Sequence, residues 1–183
     1  KMSTRKANFI SLDSLIDEVG SDVVKYFFAM RGINSHLNFD LNLAKDESDQ
    51  NPVFYIQYAY ARAISILNKT EGDSLLIENF NYNLLDKEQE TILIKSLLLF
   101  PELVYKATDS MEPQLIANYL MDIASQFHHY YAKHKVITNN KELSLARSVL
   151  VAAIKQVLYN GLTILNISIF VLIGLCFYFF FCQ

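Results

Sequence analysis

The stretch Asn51-Pro52-Val53-Phe54-Tyr55-Ile56-Gln57-Tyr58-Ala59-Tyr60-Ala61-Arg62-Ala63-Ile64-Ser65-Ile66-Leu67 decides how this chain folds. Proline is tolerated in the first turn of a helix, where its missing N–H would have had no partner, so Asn51-Pro52 reads as a helix start. Val53, Ile56, Tyr60, Ile64 and Leu67 then recur at spacings of three and four, which predicts one buried stripe along a long helix. The polar run from Lys69 to Asp73 breaks it.

The same period returns on both sides. Downstream, residues 86–100 carry Ile92, Leu93, Leu97 and Leu98 in helical register, and Pro101 must kink or end that helix. Further helices are predicted over 113–135 and 141–165, the second with Leu145, Val149, Ala152, Val157 and Leu158 among its apolar positions. Asn139-Asn140 marks the turn between them. Upstream, Leu15, Ile16 and Val19 predict a short helix stopped by Gly20. Ser21 or Asp22 is expected to cap the next, which runs to about Met30 with Val23, Val24, Phe27 and Phe28 on its apolar side and ends at Gly32. Residues 34–41 read as irregular, with room for a short extended piece because Leu37, Phe39 and Leu41 alternate. The first ten residues read as a polar, basic loop.

An all-α fold follows, a bundle of four or five helices. Five Gly and three Pro in 183 residues suit long helices better than a sheet protein with its glycine-built turns. Hydrophobic residues at 52% and charged residues at 19% supply a core and exclude global disorder. The two cysteines, Cys176 and Cys182, lack the company of a zinc site and cannot form a disulfide framework, so a reducing cytoplasm is the default and no metal is expected. No signal peptide opens the chain, which begins on Lys1 and reads as cut from something longer.

Charge is unevenly spread behind a formal net of −3. Residues 71–122 hold ten acids against three lysines, whereas from 123 onward Lys133, Lys135, Lys141, Arg147 and Lys155 face only Glu142. His128, His129 and His134 would add positive charge below neutral pH. Such a basic segment fits a phosphate-binding face, and equally a solvated helix surface. Beyond Lys155 no charge occurs, and residues 169–182 are fourteen apolar or aromatic residues with a single Gly. Fourteen is short of the ~20 a membrane helix needs. Counting back to Leu162 gives 21 but includes Thr163, Asn166 and Ser168. An accidental extension and a membrane anchor over residues 162–182 are both open readings.

Longer motifs carry a family likeness. Lys1-Met2-Ser3-Thr4-Arg5, Leu15-Ile16-Asp17-Glu18-Val19-Gly20, Tyr26-Phe27-Phe28 and Met30-Arg31 resemble the KMS-loop region of bacterial arginyl-tRNA synthetases, which are class I enzymes. The likeness continues through Ser35-His36-Leu37-Asn38-Phe39-Asp40-Leu41, residues 51–59 and Ala61-Arg62, loosely through 124–131, and into the Leu-x-Asn-Gly-Leu-x-x-Leu-x-Ile-Ser ending at 158–168. It implies a catalytic-domain end over 1–50 (KMS loop and junction helices), a helical DALR-type anticodon-binding domain over 51–168, and an atypical apolar tail over 169–183.

The resemblance also implies roles. Lys1, Ser3 and Arg5 would stabilise the negative charge that grows on ATP phosphates as arginine is activated. Thr4 stands where a second lysine is common, which leaves Arg5 as the other cation. The ATP site, with Mg, and the arginine pocket belong to the full-length enzyme, for no His-x-Gly-His motif occurs here, so the fragment alone is expected to bind no cofactor. The partner implied for this part is tRNA. Tyr130, Tyr131, Lys133 and Lys135 are the expected contacts, aromatics stacking on splayed bases and lysines meeting phosphates. Tyr130 lies off the Ile123–Phe127–Tyr131 stripe, and Phe127 belongs to the core. Arg62, four residues after Tyr58, is a further RNA-contact candidate or a piece of domain-junction packing. A free-standing helical RNA-binding module and a tail-anchored membrane or interaction protein are the alternative readings.

Overall fold

The computed structural model describes residues 11–32, 35–36, 39–70 and 80–169. Eight α-helices occur among them: α1 (Leu12–Val19), α2 (Ser21–Ala29), α3 (Leu41–Lys45), α4 (Pro52–Lys69), α5 (Glu88–Leu98), α6 (Phe100–Asp109), α7 (Gln114–Lys133) and α8 (Lys141–Ile164). No strand occurs among the described residues. Helices α4 to α8 form the expected bundle, in which α4, α7 and α8 pack against one another, and α2 adds Val23, Tyr26 and Phe27 to the same core.

Local chemistry explains most of the boundaries. Gly20, at φ 85°, closes α1 with its N–H on the Ile16 carbonyl. It also stands at the start of α2, which has no side-chain cap. The expected cap by Ser21 or Asp22 is therefore corrected. Asp22 is committed elsewhere, accepting from the Ser168 backbone N–H at 3.0 Å and pairing with Lys25 at 3.3 Å. These bonds, with Lys25 donating to the Asn166 carbonyl, staple the chain after α8 onto α2. Leu41 begins a helix rather than ending an extended piece, because the Asp40 carboxylate caps Asn42 and Leu43.

Asn51 does cap α4, accepting from the Val53 N–H at 3.0 Å, while its amide nitrogen donates to the Ala44 carbonyl. It is fully buried, so one side chain joins α3 to α4. The buried stripe of α4 is Val53, Ile56, Ala59, Ala63 and Ile66, with Tyr60, Ile64 and Leu67 at its margin. The alanines win the central positions because α4 lies against both α7 and α8, and only a small side chain lets two helices come that close. On α8 the same correction applies: Ala146, Leu150, Ile154, Leu158 and Leu162 are buried at spacings of four, whereas Leu145 is exposed.

Pro101 ends one helix and opens another. Leu99 is the hinge, and Phe100 swings inward to stack on Tyr119 at 5.5 Å. Helix α6 was not legible beyond that break. At the far end Gly161 permits the α7–α8 crossing, since a Cβ there would stand 2.5 Å from Leu120 Cδ2. No described helix is long and apolar enough to cross a membrane, and residues 170–183 of the apolar tail lie outside the described residues.

Candidate nucleic-acid interface

Helix α4 presents Tyr55, Tyr58 and Arg62 along one side, and α7 answers with Phe127, His128 and Tyr131. On α4 the spacings of three, four and seven bring Tyr55, Tyr58 and Arg62 onto one helix face, and on α7 Tyr131 follows His128 by three residues and Phe127 by four. His128 is the hinge of the cluster. Its ring meets Tyr55 edge-on at 4.6 Å and stacks on Tyr58 at 5.5 Å and Phe127 at 6.2 Å.

Arg62 fixes which proton His128 keeps. A guanidinium can only donate, so at 2.9 Å His128 Nδ1 must accept from Arg62 Nη1. The remaining proton then sits on Nε2, which points at the Tyr55 carbonyl at 3.4 Å. Burial first, and the Arg62 charge second, push the His128 pKa down from 6.5 to about 4. His128 is therefore neutral at physiological pH, and the positive charge expected of it below neutral pH is absent until strongly acid conditions.

Arg62 itself carries an unusual charge. Its Nη2 donates to the Tyr58 hydroxyl at 2.6 Å. Its Cζ lies 4.5 Å from the Tyr58 ring centroid and 4.9 Å from that of Tyr131, within range of a cation–π contact with both. Among the described residues no carboxylate pairs with it. The result is a half-buried cation held in place by aromatic rings and, among the described residues, without an ion-pair partner.

The other expected contacts surround the same end of α7. Tyr131 is 37% exposed, and Lys133 and Lys135 are both exposed, the first in the last turn of α7 and the second just past it. A cation in a last turn is also stabilised by the helix dipole, which is the purely structural reading of Lys133. Tyr130 is the correction. It is 0% exposed, and its hydroxyl donates to Glu90 at 3.1 Å, so it has no face to offer a base. The reason is the bundle itself: α5 packs against α7 and covers the position that lies off the Phe127 stripe.

Arg147 also leaves the basic surface. It is 5% exposed and pairs through Nε with Glu90 at 2.8 Å. Periodicity gave no warning, because a buried Arg sits in the α8 stripe where an apolar residue is the default. His128 was missed for a related reason. The signal was present in the Tyr58–Arg62 pair, but its partner lies on a helix 66 residues away.

Lys1, Ser3 and Arg5 lie outside the described residues. Among the described residues no group of His, Cys, Asp or Glu stands close enough to hold a metal ion.

Residues 56–171 match the DALR anticodon binding domain. The chain is 48% identical over 169 residues to an arginine–tRNA ligase of Salinibacter ruber, and 44% identical over 171 residues to that of Desulfotalea psychrophila. Each alignment covers 92% of this chain but only 30% and 31% of the relative, so the chain spans under a third of their length. Among solved structures, a Campylobacter jejuni protein described as an arginyl tRNA synthetase superposes with a TM-score of 0.74 at 26% identity, over 88% of this chain and 35% of its own. The Thermus thermophilus arginyl-tRNA synthetase gives 0.65 at 26% identity, over 90% and 28%.

Proposed function

The chain belongs to the DALR anticodon binding domain family, and from that premise we propose that it holds the anticodon arm of a tRNA for an arginine–tRNA ligase. The observation that carries this is the Arg62 cation, without an ion-pair partner among the described residues, which leans on the half-exposed Tyr131 ring at the end of α7 where Lys133 and Lys135 emerge. Aromatic faces beside unpaired cations are what single-stranded RNA recognition uses: bases stack, and phosphates meet charge. Lys133 and Lys135 act as point charges, Tyr131 as the stacking surface, and Arg62 as a planar donor with N–H groups to spare. Tyr130 supports this face from beneath rather than touching RNA.

The activity of the whole protein follows as part of the same proposal. It joins arginine to its tRNA with ATP and Mg, works in the cytoplasm, and uses Lys1, Ser3 and Arg5 at the phosphates. Residues 1–50 close its catalytic domain, 51–168 form the RNA-holding unit, and 169–183 are an appended tail. What the described residues themselves do is bind and orient the anticodon arm.

The test is fluorescence anisotropy of the full chain with the anticodon stem-loop of an arginine tRNA, against a stem-loop of equal length and altered loop sequence. Binding should favour the cognate loop. Lys133→Ala with Lys135→Ala should weaken both RNAs alike, whereas Tyr131→Ala should mainly erase the preference. Unchanged binding after the lysine changes removes this surface from consideration.

A further inference from the structure

The buried charge pair behind this surface has no evident reason to be charged. Glu90 is 0% exposed and Arg147 5%, and a pair so deep loses much hydration. Replacing such a pair with apolar side chains of similar volume is commonly neutral or stabilising, so stability alone does not account for it. What an apolar pair lacks is a second arm. While Arg147 Nε donates to Glu90, its Nη1 donates to the backbone carbonyl of Lys135 at 2.7 Å. Glu90 is itself fixed by the Tyr130 hydroxyl at 3.1 Å and by the Lys87 backbone N–H at 3.1 Å. His134, between the two lysines, is held from the same helix by Gln89 at 3.1 Å. The chain leaving α7 is thereby anchored from below at two successive residues.

We propose that the Glu90–Arg147 pair positions RNA contacts, holding the Lys135 carbonyl so that Lys133 and Lys135 emerge in a fixed place. Arg147 and Glu90 are positioning residues, since neither reaches the surface. A preordered backbone spares the RNA complex the entropy of ordering it on binding. The fork geometry matters: one planar guanidinium serves a carboxylate and a carbonyl in fixed directions, which an ammonium cannot do. This inference rests on the RNA-binding role proposed above.

The test is a double-mutant cycle on the full chain, with RNA affinity and thermal melting as readouts. Glu90→Gln with Arg147→Met removes both charges together, so neither is left buried alone, and the amide oxygen introduced on α5 would still accept from the Tyr130 hydroxyl. Releasing about one residue of backbone order should weaken stem-loop binding by about tenfold. In a Lys133→Ala, Lys135→Ala background the same change should have little further effect, because the side chains it positions are gone. Arg147→Lys, which keeps the charge but not the fork, should melt near the wild type and still bind weakly. An equal loss in both backgrounds, or full affinity in either positioning variant, overturns the inference while leaving the RNA surface intact. If the lysine changes alone leave affinity unaltered, the surface and its positioning device fall together.

Discussion

Lowering the pH from about 7 to about 5 should destabilise the folded chain through His128 in particular. The unfolded side chain takes up a proton near its ordinary 6.5, while the folded one resists until about 4, because burial and the Arg62 charge both disfavour the imidazolium. The unfolded state therefore binds more protons across that window. Stability from this group is complete above 6.5, falls as pH drops through the window, and is gone below about 4. A shift of this size corresponds to roughly 3 kcal/mol, and the partial solvent access of the ring reduces it to about 2 kcal/mol. The perturbation that isolates it is His128→Phe, which keeps a ring between Tyr55 and Tyr58 and removes the titration. Urea midpoints measured at about pH 7 and about pH 5, which cross only part of that window, should show the wild type losing about 1 kcal/mol more than the variant. Arg62→Leu should move the His128 pKa part of the way back towards 6.5, since burial, the larger cause, remains. Parallel losses in wild type and His128→Phe, or an NMR titration of folded His128 near its ordinary value, would refute the reasoning.

Two further changes test the packing that places this surface. Gly161→Ala sets a methyl 2.5 Å from the buried Leu120 side chain and should cost about 1–3 kcal/mol in denaturant melts, as overpacking does; an unshifted midpoint would show that α7 and α8 have slack at their crossing. Asn51→Ala removes the α4 cap and the bond to the Ala44 carbonyl, and should cost about 1–2 kcal/mol by the same assay, with hydrogen exchange rising first at the α3–α4 junction. Exchange rising evenly along the chain would count against that local role.

The helices were readable because their signals are local. Asn51-Pro52 is a start written in two residues, and the Asn139-Asn140 turn is bounded by a cap, since Asn140 accepts from the Leu143 N–H. The stripes on α4 and α8 were misplaced by a residue or two for a physical reason. In the core that α4 shares with α7 and α8, Ala59 and Ala63 are buried while the larger Tyr60 and Leu67 lie at the edge, an outcome that hydrophobicity alone ranks the other way. The candidate surface was half legible. Tyr131, Lys133, Lys135 and Arg62 follow from residue type, position and family likeness. Tyr130 and Arg147 depended on where α5 would lie, and a chain read one helix at a time does not contain that. Glu90 counted as one acid among ten in its segment, yet its burial makes it the anchor of the α7–α8 connection.

Whether the end of α7 meets phosphates is read directly by the salt dependence of RNA affinity. Each phosphate contact releases condensed counterions, so the slope of log affinity against log salt counts contacts. For the full chain and an arginine anticodon stem-loop, replacing Lys133 and Lys135 by Ala should flatten that slope by about 1.4–1.8, the value for two lost contacts. A slope that stays the same, with affinity unchanged at every salt concentration, would contradict the placement of RNA on this surface.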